Sequence, residues 1–422
     1  MHSNIKQIHA RQILDSRGNP TIETQILLEN GVTAAAAVPS GASTGQYEAV
    51  ELRDEADIYG GKSVFNAIAN VNTTISEALE GMDIFDQTAI DRMMITLDGT
   101  ENKSNLGANA ILSVSLAAAR TAAHCCGLPL FRYLGGAAAM TMPVPMLNVL
   151  NGGAHANNNV EIQEFMIVPV GAPTFSKAME MSTRVYHSLG HILKEAGLST
   201  TIGDEGGFAP NLESDEQALH LLIRAIERAG MEPERDIAIA LDAAASEWKT
   251  AEGYRQTKSG KEYSTTELID YFEGLVRKFP IISLEDPLGD DDYEGFAEIK
   301  KRTGIQIVGD DLFVTNSDRL QKGIAKGSGN AILIKLNQIG TLSETLQTIR
   351  MAKNNGFKTI ISHRSGETAD AFIADLAVAV NAGQIKTGAP ARSERVCKYN
   401  RLTGIEALVG VHSYYPGMAT FL

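Results

Sequence analysis

The sequence has few cysteines, no long apolar run and no apolar segment near its start, and each absence excludes a class of protein. Its three cysteines, Cys125, Cys126 and Cys397, are too few for a disulfide framework and lack the spacing of a metal site. No stretch approaches the roughly 20 apolar residues that a membrane helix needs, and MHSNIKQIHARQ lacks the apolar centre of a signal peptide. We therefore expect a cytoplasmic protein without a membrane span.

Basic residues are also in deficit, which argues against a nucleic-acid partner. The 422 residues include 51 acidic and 37 basic side chains, so the formal net charge is −14. A field of this sign repels a phosphate backbone, although a small anion can still bind where lysines or metal ions reverse the charge locally. The sequence also lacks a polar low-complexity tract, so its length predicts two packed domains instead of disorder.

The first third of the chain has the pattern of a hairpin followed by helices. The strands TIETQILL and VTAAAAV flank Asn30-Gly31, a pair that supplies the positive φ angles of a tight turn. Two helical patterns follow, and Ser63 is the expected N-cap of the first. The segment LFRYLGGAAAMTMPVPM, with its glycines and prolines, then breaks the pattern. We therefore place the domains at residues 1–135 and 136–422.

The rest of the chain repeats one unit, an apolar run that ends in a residue able to do chemistry. The run ends are Glu205, Asp242, Glu285, Asp310, Lys335, His363 and Lys386. From Asp242 onward they are 43, 25, 25, 28 and 23 residues apart, which fits a strand, a helix and two loops. Parallel strands closed into a barrel place their C-terminal ends at one rim. The spacing therefore predicts a βα repeat with these side chains around one cavity.

The helices between these strands have recognisable start signals. Ser264 with Glu267, and Thr341 with Glu344, have the spacing of a capping box ahead of apolar stripes. We interpret the stripes as helix faces packed on the strands and assign them no chemistry.

Three of the run ends are acids that together indicate a metal site. A single acid after a strand is usually a helix cap or a loop residue, but Asp242, Glu285 and Asp310 end separate repeat units. Hard oxygen ligands of this kind suit Mg²⁺. We interpret the neighbouring Asp286 and Asp311 as caps, supporting partners or loop residues.

Lys335 and Glu205 are candidates for proton transfer. Lys335 lies in the apolar run AILIKLN, where it is either a lysine whose ammonium reaches solvent at a strand end or a general base. Beside a divalent cation and Lys386, its pKa is expected to fall. Glu205 lies in GDEGG, which is either an ordinary loop or the site of a general acid. Glu164, in IQEFM, is a weaker candidate of the same type.

Two polar segments have compositions suited to anions or to loop closure. His363, Arg364 and Ser365 follow a predicted strand and offer donors for a phosphate or carboxylate, or form a polar loop. The segment PSGASTG, residues 39–45, is either a flexible linker or a lid.

The motifs of the chain resemble those of the enolases over nearly its whole length. They run from DSRGNP at Asp15 through SGASTG, LNGGAHANN, QEFM, GDEGGFAPN, SLEDP, VGDDLFVTN, IKLNQIGT and SHRSGET to IKTGAPARSER. The resemblance implies an α/β protein in which a smaller α+β N-terminal domain precedes a modified (β/α) barrel with an early antiparallel strand. It also implies the reversible dehydration of 2-phosphoglycerate to phosphoenolpyruvate in glycolysis and gluconeogenesis.

The same resemblance implies roles for individual residues. Asp242, Glu285 and Asp310 would bind one Mg²⁺, Ser43 a second, substrate-linked Mg²⁺, while Lys335 would be the base and Glu205 the acid. The positions that contact or support the substrate would be His155, Gln163, Glu164, His363, Arg364, Ser365 and Lys386.

The partners implied are a small phosphorylated substrate and further copies of the chain, in a dimer or a ring of dimers. The tail after Ile405 is unlike the usual family ending, which leaves its packing open. Two other hypotheses remain, an enolase paralogue acting on a phosphonate or another substrate analogue, and a non-catalytic structural or binding relative.

Overall fold

The computed structural model describes residues 3–41, 45–54 and 57–422, whose strands form two larger sheets and a short hairpin. The first sheet is antiparallel, with strands β1 (Ile5–Leu14), β2 (Pro20–Leu28) and β3 (Thr33–Ala37) in that order. Between β2 and β3, the N–H of Leu28 donates to the carbonyl of Val32 at 2.9 Å, and Gly31 has a φ of +86°. The hairpin predicted from Asn30-Gly31 is confirmed.

In the described residues up to position 135, five α-helices accompany this sheet. They are α1 (Phe65–Asn70), α2 (Ser76–Leu79), α3 (Gln87–Asp98), α4 (Ala108–Cys125) and α5 (Leu130–Gly135), with a π-helical segment Val71–Ile75 between the first two. The prediction of Ser63 as an N-cap is wrong. Its hydroxyl donates to Asp54 Oδ2 at 2.6 Å, and the Asp54 carboxylate accepts the N–H groups of Phe65 and Asn66 at 2.8 and 2.9 Å. Asp54 therefore takes the capping role.

The second sheet is a closed barrel of eight strands. In chain order they are β4 (Val144–Asn151), β5 (Glu164–Val168), β6 (Ala238–Asp242), β9 (Ile281–Glu285), β10 (Gln306–Gly309), β11 (Ala331–Ile334), β12 (Lys358–Ser362) and β13 (Gly383–Lys386), while β7 (Tyr254–Arg255) and β8 (Glu262–Tyr263) pair outside the barrel. β5 is antiparallel to both neighbours, and the other pairs are parallel. The expected fold class, a barrel with an early antiparallel strand after a smaller domain, is confirmed.

The run that ends at Glu205 is not a strand of this barrel. It makes isolated bridges, such as Ile202 with Phe208, and lies between α6 (Phe175–Glu195) and α7 (Asp215–Arg228). The N–H of Gly203 donates to Gly207 O at 2.8 Å, which folds the segment into a turn. The loop composition noted for GDEGG agrees with this turn, because glycines favour a turn over extended pairing.

Helices return the chain between the strands. After α6 and α7 they are α8 (Thr265–Lys278), α9 (Tyr293–Thr303), α10 (Ser317–Lys326), α11 (Leu336–Ile339), α12 (Leu342–Asn354), α13 (Phe372–Ala379) and α14 (Ser393–Val409). The capping box of Ser264 and Glu267 is confirmed. At α12 half of the box forms: Thr341 accepts the N–H of Glu344 at 3.2 Å, while the Glu344 carboxylate accepts the Thr341 hydroxyl at 2.5 Å.

The C-terminal tail closes the end of the barrel opposite the strand tips. The side chain of Phe421 packs with the barrel-interior residues Val144, Val168 and Ala331. Gln384 on β13 donates to Thr420 O at 3.3 Å. The tail that departs from the family pattern is thus part of the barrel core, and it leaves the cavity at the strand tips open.

The described residues contain no single helix that is long and apolar enough to cross a membrane. The helix Ala108–Cys125 and the segment Leu130–Ala138 meet the length and composition requirement only together, across a bend of 93°. Nearly all residues of the first helix are buried in the protein.

Candidate active site

A cavity of about 650 Å³ opens at the C-terminal ends of the barrel strands. Its walls include the side chains that end β6, β12 and β13, the loop that carries Glu205, and the segment Gly45–Glu48 of the first domain. Glu285, at the end of β9, lies at its floor within reach of Lys386. The βα repeat produces this convergence because parallel strands all present their C-terminal ends on the same side. The predicted cavity is therefore present.

Lys386 is the cation around which the floor is organised. Its Nζ lies 2.9 Å from Asp242 Oδ2, 2.8 Å from Glu285 Oε1 and 3.3 Å from Glu164 Oε2. Although burial opposes it, these carboxylates raise the pKa of Lys386 well above its ordinary value. Burial, and then the charge of Asp242, raises the pKa of Glu285 well above normal. Three carboxyl groups thus surround one buried ammonium.

Lys335, at the end of β11, contacts Asp310 Oδ2. Burial would lower the pKa of this lysine, but the Asp310 carboxylate outweighs it and raises the pKa. The fall expected for Lys335 beside a divalent cation stays a prediction, since here an oxygen of a predicted metal ligand lies against the ammonium. Gln338 donates to the other oxygen of Asp310 at 2.9 Å, and the Gln338 carbonyl accepts the hydroxyl of Thr315 at 2.9 Å. Asp310 is thus held from both sides.

The first domain contributes a carboxylate to the site. Glu48 Oε2 accepts from Arg364 Nη1 at 2.9 Å, and its Oε1 is 3.4 Å from the amide nitrogen of Gln338. Both side chains of the ion pair are nearly fully buried, at 6% and 5% exposure. The N–H of Ala49 also donates to Gln338 O at 2.8 Å. Glu48 and Ala49, which follow the 39–45 segment, are therefore fastened to the barrel rim.

Glu164 and Glu205 form a pair of carboxyl groups on another side of the cavity. His155 Nδ1 lies 3.6 Å from Glu164 Oε1 and 3.8 Å from Glu205 Oε1. Burial, and then the negative charge of Glu205, raises the pKa of Glu164 well above normal. Burial also acts to raise the pKa of Glu205, but His363 and His155 outweigh it and hold that pKa well below normal. The pKa values of the two carboxyl groups are therefore shifted in opposite directions, that of Glu164 upward and that of Glu205 downward.

His363 faces Glu205 with one ring nitrogen and Arg395 with the other. Its Nε2 is 3.5 Å from Glu205 Oε1, and its Nδ1 is 2.6 Å from Arg395 Nη1. Burial is the main cause that lowers the pKa of His363 well below its ordinary value. Asn148 on β4 completes the setting by donating to Glu205 Oε2 at 3.0 Å.

The other predicted residues lie as follows. Gln163 Nε2 is 3.5 Å from Asp242 Oδ2, and Ser365 is buried in the cavity wall beside Arg364. Ser43, the expected ligand of the second Mg²⁺, lies outside the described residues.

The carboxyl groups at the floor of the cavity are chemically suited to bind a divalent cation. In the described parts of the chain, Glu285 Oε2 is buried without a hydrogen-bond partner, which is costly for a carboxylate unless a cation serves it. Among the residues that the structure describes, two groups of side chains have ligand atoms that all lie within 4.8 Å of one another, namely His155, Glu164 and Glu205, and Asp286, Asp310 and Asp311. The predicted set of Asp242, Glu285 and Asp310 is not among them; the ammonium groups of Lys386 and Lys335 contact its oxygens instead.

Asp286 has a larger role than the sequence indicated. Its two oxygens accept the N–H groups of Asp310 and Asp311 at 3.0 and 2.8 Å, and its φ is +40°. It thereby fixes the backbone of Asp310. A strained backbone conformation at a non-glycine residue is retained where the surrounding contacts demand it.

Glu48, Gln338 and Arg395 are the contact residues that the sequence pattern missed. Glu48 and Arg364 are separated by 316 positions, and Arg395 and His363 by 32. No local pattern encodes such contacts. The only signal was indirect: Glu48 follows the lid motif, and Gln338 and Arg395 lie within the motifs IKLNQIGT and IKTGAPARSER.

Two family models match this chain and together cover almost all of it. The model described as Enolase, N-terminal domain, matches residues 5–134, and the model described as Enolase, C-terminal TIM barrel domain, matches residues 139–421. The three-stranded sheet lies in the first range and the closed barrel in the second.

Proposed function

The chain belongs to the enolase family of lyase-type enzymes, and we propose that it catalyses the reversible dehydration of 2-phosphoglycerate to phosphoenolpyruvate and water. One observation carries the proposal: a single cavity combines the amine of Lys335 with the Glu164–Glu205 carboxyl pair and with the cations of Lys386 and Arg364. A dehydration needs one group that takes a proton and another that gives one. A substrate with a phosphate and a carboxylate needs cationic partners.

Lys335 is the proposed base for the C2 proton. That proton is very weakly acidic, because its loss adds negative charge next to a carboxylate. Asp310 now keeps the pKa of Lys335 raised, so the amine can accept a proton only after the Asp310 carboxylate gives up this contact. The charged Lys386 faces the same cavity and would stabilise the added negative charge.

Mg²⁺ belongs to the proposal, with Asp242, Glu285 and Asp310 as ligands of one ion and Ser43 as a ligand of a second. Bound there, the metal would balance the charge that develops on the substrate carboxylate and take up the negative charge of Asp310. The buried Glu285 Oε2 supports this assignment, since it is an acceptor without a hydrogen-bond partner in the described residues.

Glu205 is the proposed acid for loss of the C3 hydroxyl, and Glu164 shares its proton. As an ionised group Glu205 cannot protonate a leaving group by itself. Glu164 is the member of the pair whose pKa is raised, which favours a proton on it, and His155 lies within 4 Å of both carboxyl groups. In our proposal the proton passes within this pair before it reaches the hydroxyl. In the reverse direction the ionised Glu205 would activate the water.

The remaining cavity residues would bind and orient the substrate. Arg364 and Ser365 are suited to its phosphate, since a guanidinium and a hydroxyl both donate hydrogen bonds to phosphate oxygens. His363, His155 and Gln163 would orient the groups around the reacting carbons. Glu48 supports this role of Arg364 by fixing the plane of the guanidinium.

The setting of the enzyme is part of the same proposal. We propose a role in glycolysis and gluconeogenesis in the cytoplasm, in a dimer or a ring of dimers. We also propose that the two domains meet between residues 135 and 136. These points rest on the resemblance of the chain to its family.

A turnover assay tests the proposal. Purified protein with Mg²⁺ and 2-phosphoglycerate is expected to form phosphoenolpyruvate, which is followed through the ultraviolet absorbance of its new double bond. The variant Lys335→Ala should be inactive, while Lys278→Ala, at an exposed lysine on α8, should match the parent protein. If metal binds, as measured by calorimetry, but 2-phosphoglycerate is not converted, the substrate assignment is wrong, and the phosphonate analogue becomes the next substrate to assay.

A further inference from the structure

Arg395 is a buried cation that the proposed reaction does not use. It lies in the first turn of α14, and none of its side chain is exposed. Its only carboxylate neighbour in the described ion pairs is Glu394, whose Oε1 remains 3.7 Å from Nε. Burying a guanidinium without a close carboxylate is costly. Such a cost suggests that the side chain has a role in its surroundings.

In the described residues, the side-chain hydrogen bonds of Arg395 end in two loops at the cavity. Nη1 donates to Arg364 O at 2.6 Å, and Nη2 donates to Ser365 O at 2.6 Å and to Asp204 O at 3.2 Å. The fourth partner is His363 Nδ1, 2.6 Å from Nη1. One planar side chain thus ties the His363–Ser365 segment to the loop that carries Glu205.

The contact with His363 fixes the state of the imidazole. A guanidinium can only donate hydrogen bonds, so Nδ1 has to accept and cannot carry a proton. The ring proton must then be on Nε2, the nitrogen 3.5 Å from Glu205 Oε1. The ring is neutral, and it presents an N–H to the carboxylate.

We propose that Arg395 is a positioning residue that holds His363 as the neutral Nε2–H tautomer and aims that N–H at Glu205. The assignment concerns the state of the ring, so it holds whatever the substrate is. It gives Glu205 a fixed hydrogen-bond donor that stays uncharged when the cavity gains or loses a proton.

The charged groups around His363 act in the same direction. Burial, then Arg395, Lys386 and Lys335, oppose a charge on the ring, and Glu205 alone favours one. A protonated ring would also have to give up its contact with Arg395, because two donors would then face each other. The neutral ring is therefore expected to persist through neutral pH.

Nitrogen NMR of the histidine rings tests the proposal directly. The protein has nine histidines, and His363→Gln identifies the signal of interest. In the parent protein, the Nδ1 shift should be that of an unprotonated nitrogen and the Nε2 shift that of a protonated one, unchanged between about pH 6 and 8, a range that spans the ordinary histidine pKa. An Nδ1–H tautomer or a titrating ring in the parent protein would overturn the proposal.

Two variants separate positioning from simple support of the fold. Arg395→Met removes the donor, so Nδ1 becomes able to carry the proton: the fixed Nε2–H tautomer should be lost, and the pKa of the ring should move toward the ordinary 6.5. Arg395→Lys keeps a cationic donor and should restore the neutral Nε2–H ring. A folded Arg395→Met variant with unchanged His363 signals would overturn the proposal. If Arg395→Met does not fold, the proposal is decided by the His363 tautomer measured in the parent protein and in Arg395→Lys.

Lys398 provides the matched control. It is a second fully buried cation on α14, and it donates to Glu367 Oε2 at 2.9 Å and Thr368 O at 2.7 Å without contacting His363. Lys398→Met should lower the melting temperature but leave the His363 nitrogen signals unchanged. If it changes the tautomer as Arg395→Met does, the effect belongs to the packing of the helix and the assignment to Arg395 fails.

Discussion

The ammonium nitrogen of Lys386 lies 2.8 Å from Oε1 of Glu285 at the floor of the barrel. The same nitrogen is 2.9 Å from Asp242 Oδ2. Lys386 therefore serves two carboxylates that the family resemblance assigns to magnesium. A divalent cation at these oxygens would compete with the lysine, and this competition can be measured.

Removal of the Lys386 ammonium is predicted to strengthen Mg²⁺ binding in the absence of substrate. In Lys386→Met the carboxylates lose a cation that competes for their oxygens, so the affinity measured by calorimetry should rise about tenfold, or about 1.4 kcal/mol. The variant should also be less stable, because it leaves buried carboxylates without their partner. Lys278→Met, at an exposed position, is the control. Unchanged or weaker Mg²⁺ binding in Lys386→Met would show that the metal does not use these carboxylates.

The buried pair of Glu48 and Arg364 is predicted to join the lid segment to the barrel. Glu48→Gln leaves the Arg364 guanidinium buried without its carboxylate and should lower the free energy of unfolding by about 3 kcal/mol, measured by urea denaturation. Glu195→Gln makes the same change in the exposed pair with Arg228, where the carboxylate and guanidinium are 2.6 Å apart, and should have little effect. Equal effects in the two variants would contradict the distinction drawn from burial.

The stability of the metal-free protein is predicted to fall as the pH rises from about 4 to 7, in part because of Asp311. Burial, and then the charge of Asp310, raises the pKa of Asp311 to about 7. The unfolded chain releases this proton near the ordinary value of 3.8. Between these values the folded state binds more protons, so raising the pH favours unfolding.

Asp311→Asn tests this origin of the pH dependence. The amide cannot ionise, so the variant should gain melting temperature over the parent protein at pH 8 and gain much less at pH 4. Glu298→Gln, at an exposed position on α9, should show no such difference between the two pH values. A constant difference between Asp311→Asn and the parent protein across this range would contradict the raised pKa.

The barrel was largely predictable from the sequence, since the regular spacing of Asp242, Glu285, Asp310, Lys335 and Lys386 follows from its βα units. The antiparallel direction of β5 came from the family resemblance, because an apolar run does not encode strand direction. The turn at Glu205 agrees with the glycine-rich composition of GDEGG, and the regular spacing begins only at Asp242.

The pKa shifts in the site were less predictable from the sequence than the identity of its residues. The raised pKa of Lys335 depends on contact with Asp310, and that of Glu164 depends on burial and on the proximity of Glu205. The raised pKa values of Lys335 and Glu164 both follow from distances between residues far apart in the chain. Ser63 failed as a cap for the same reason, because Asp54 reached the helix N-terminus from another segment.

The exchange of the C2 proton of 2-phosphoglycerate with deuterated solvent, followed by NMR in the presence of Mg²⁺, tests the assignment of base and acid most directly. The parent protein should exchange this proton, Lys335→Ala should not, and Glu205→Gln should retain exchange while forming no phosphoenolpyruvate. Exchange that persists in the folded Lys335→Ala variant would contradict the account, because another group would then remove the proton.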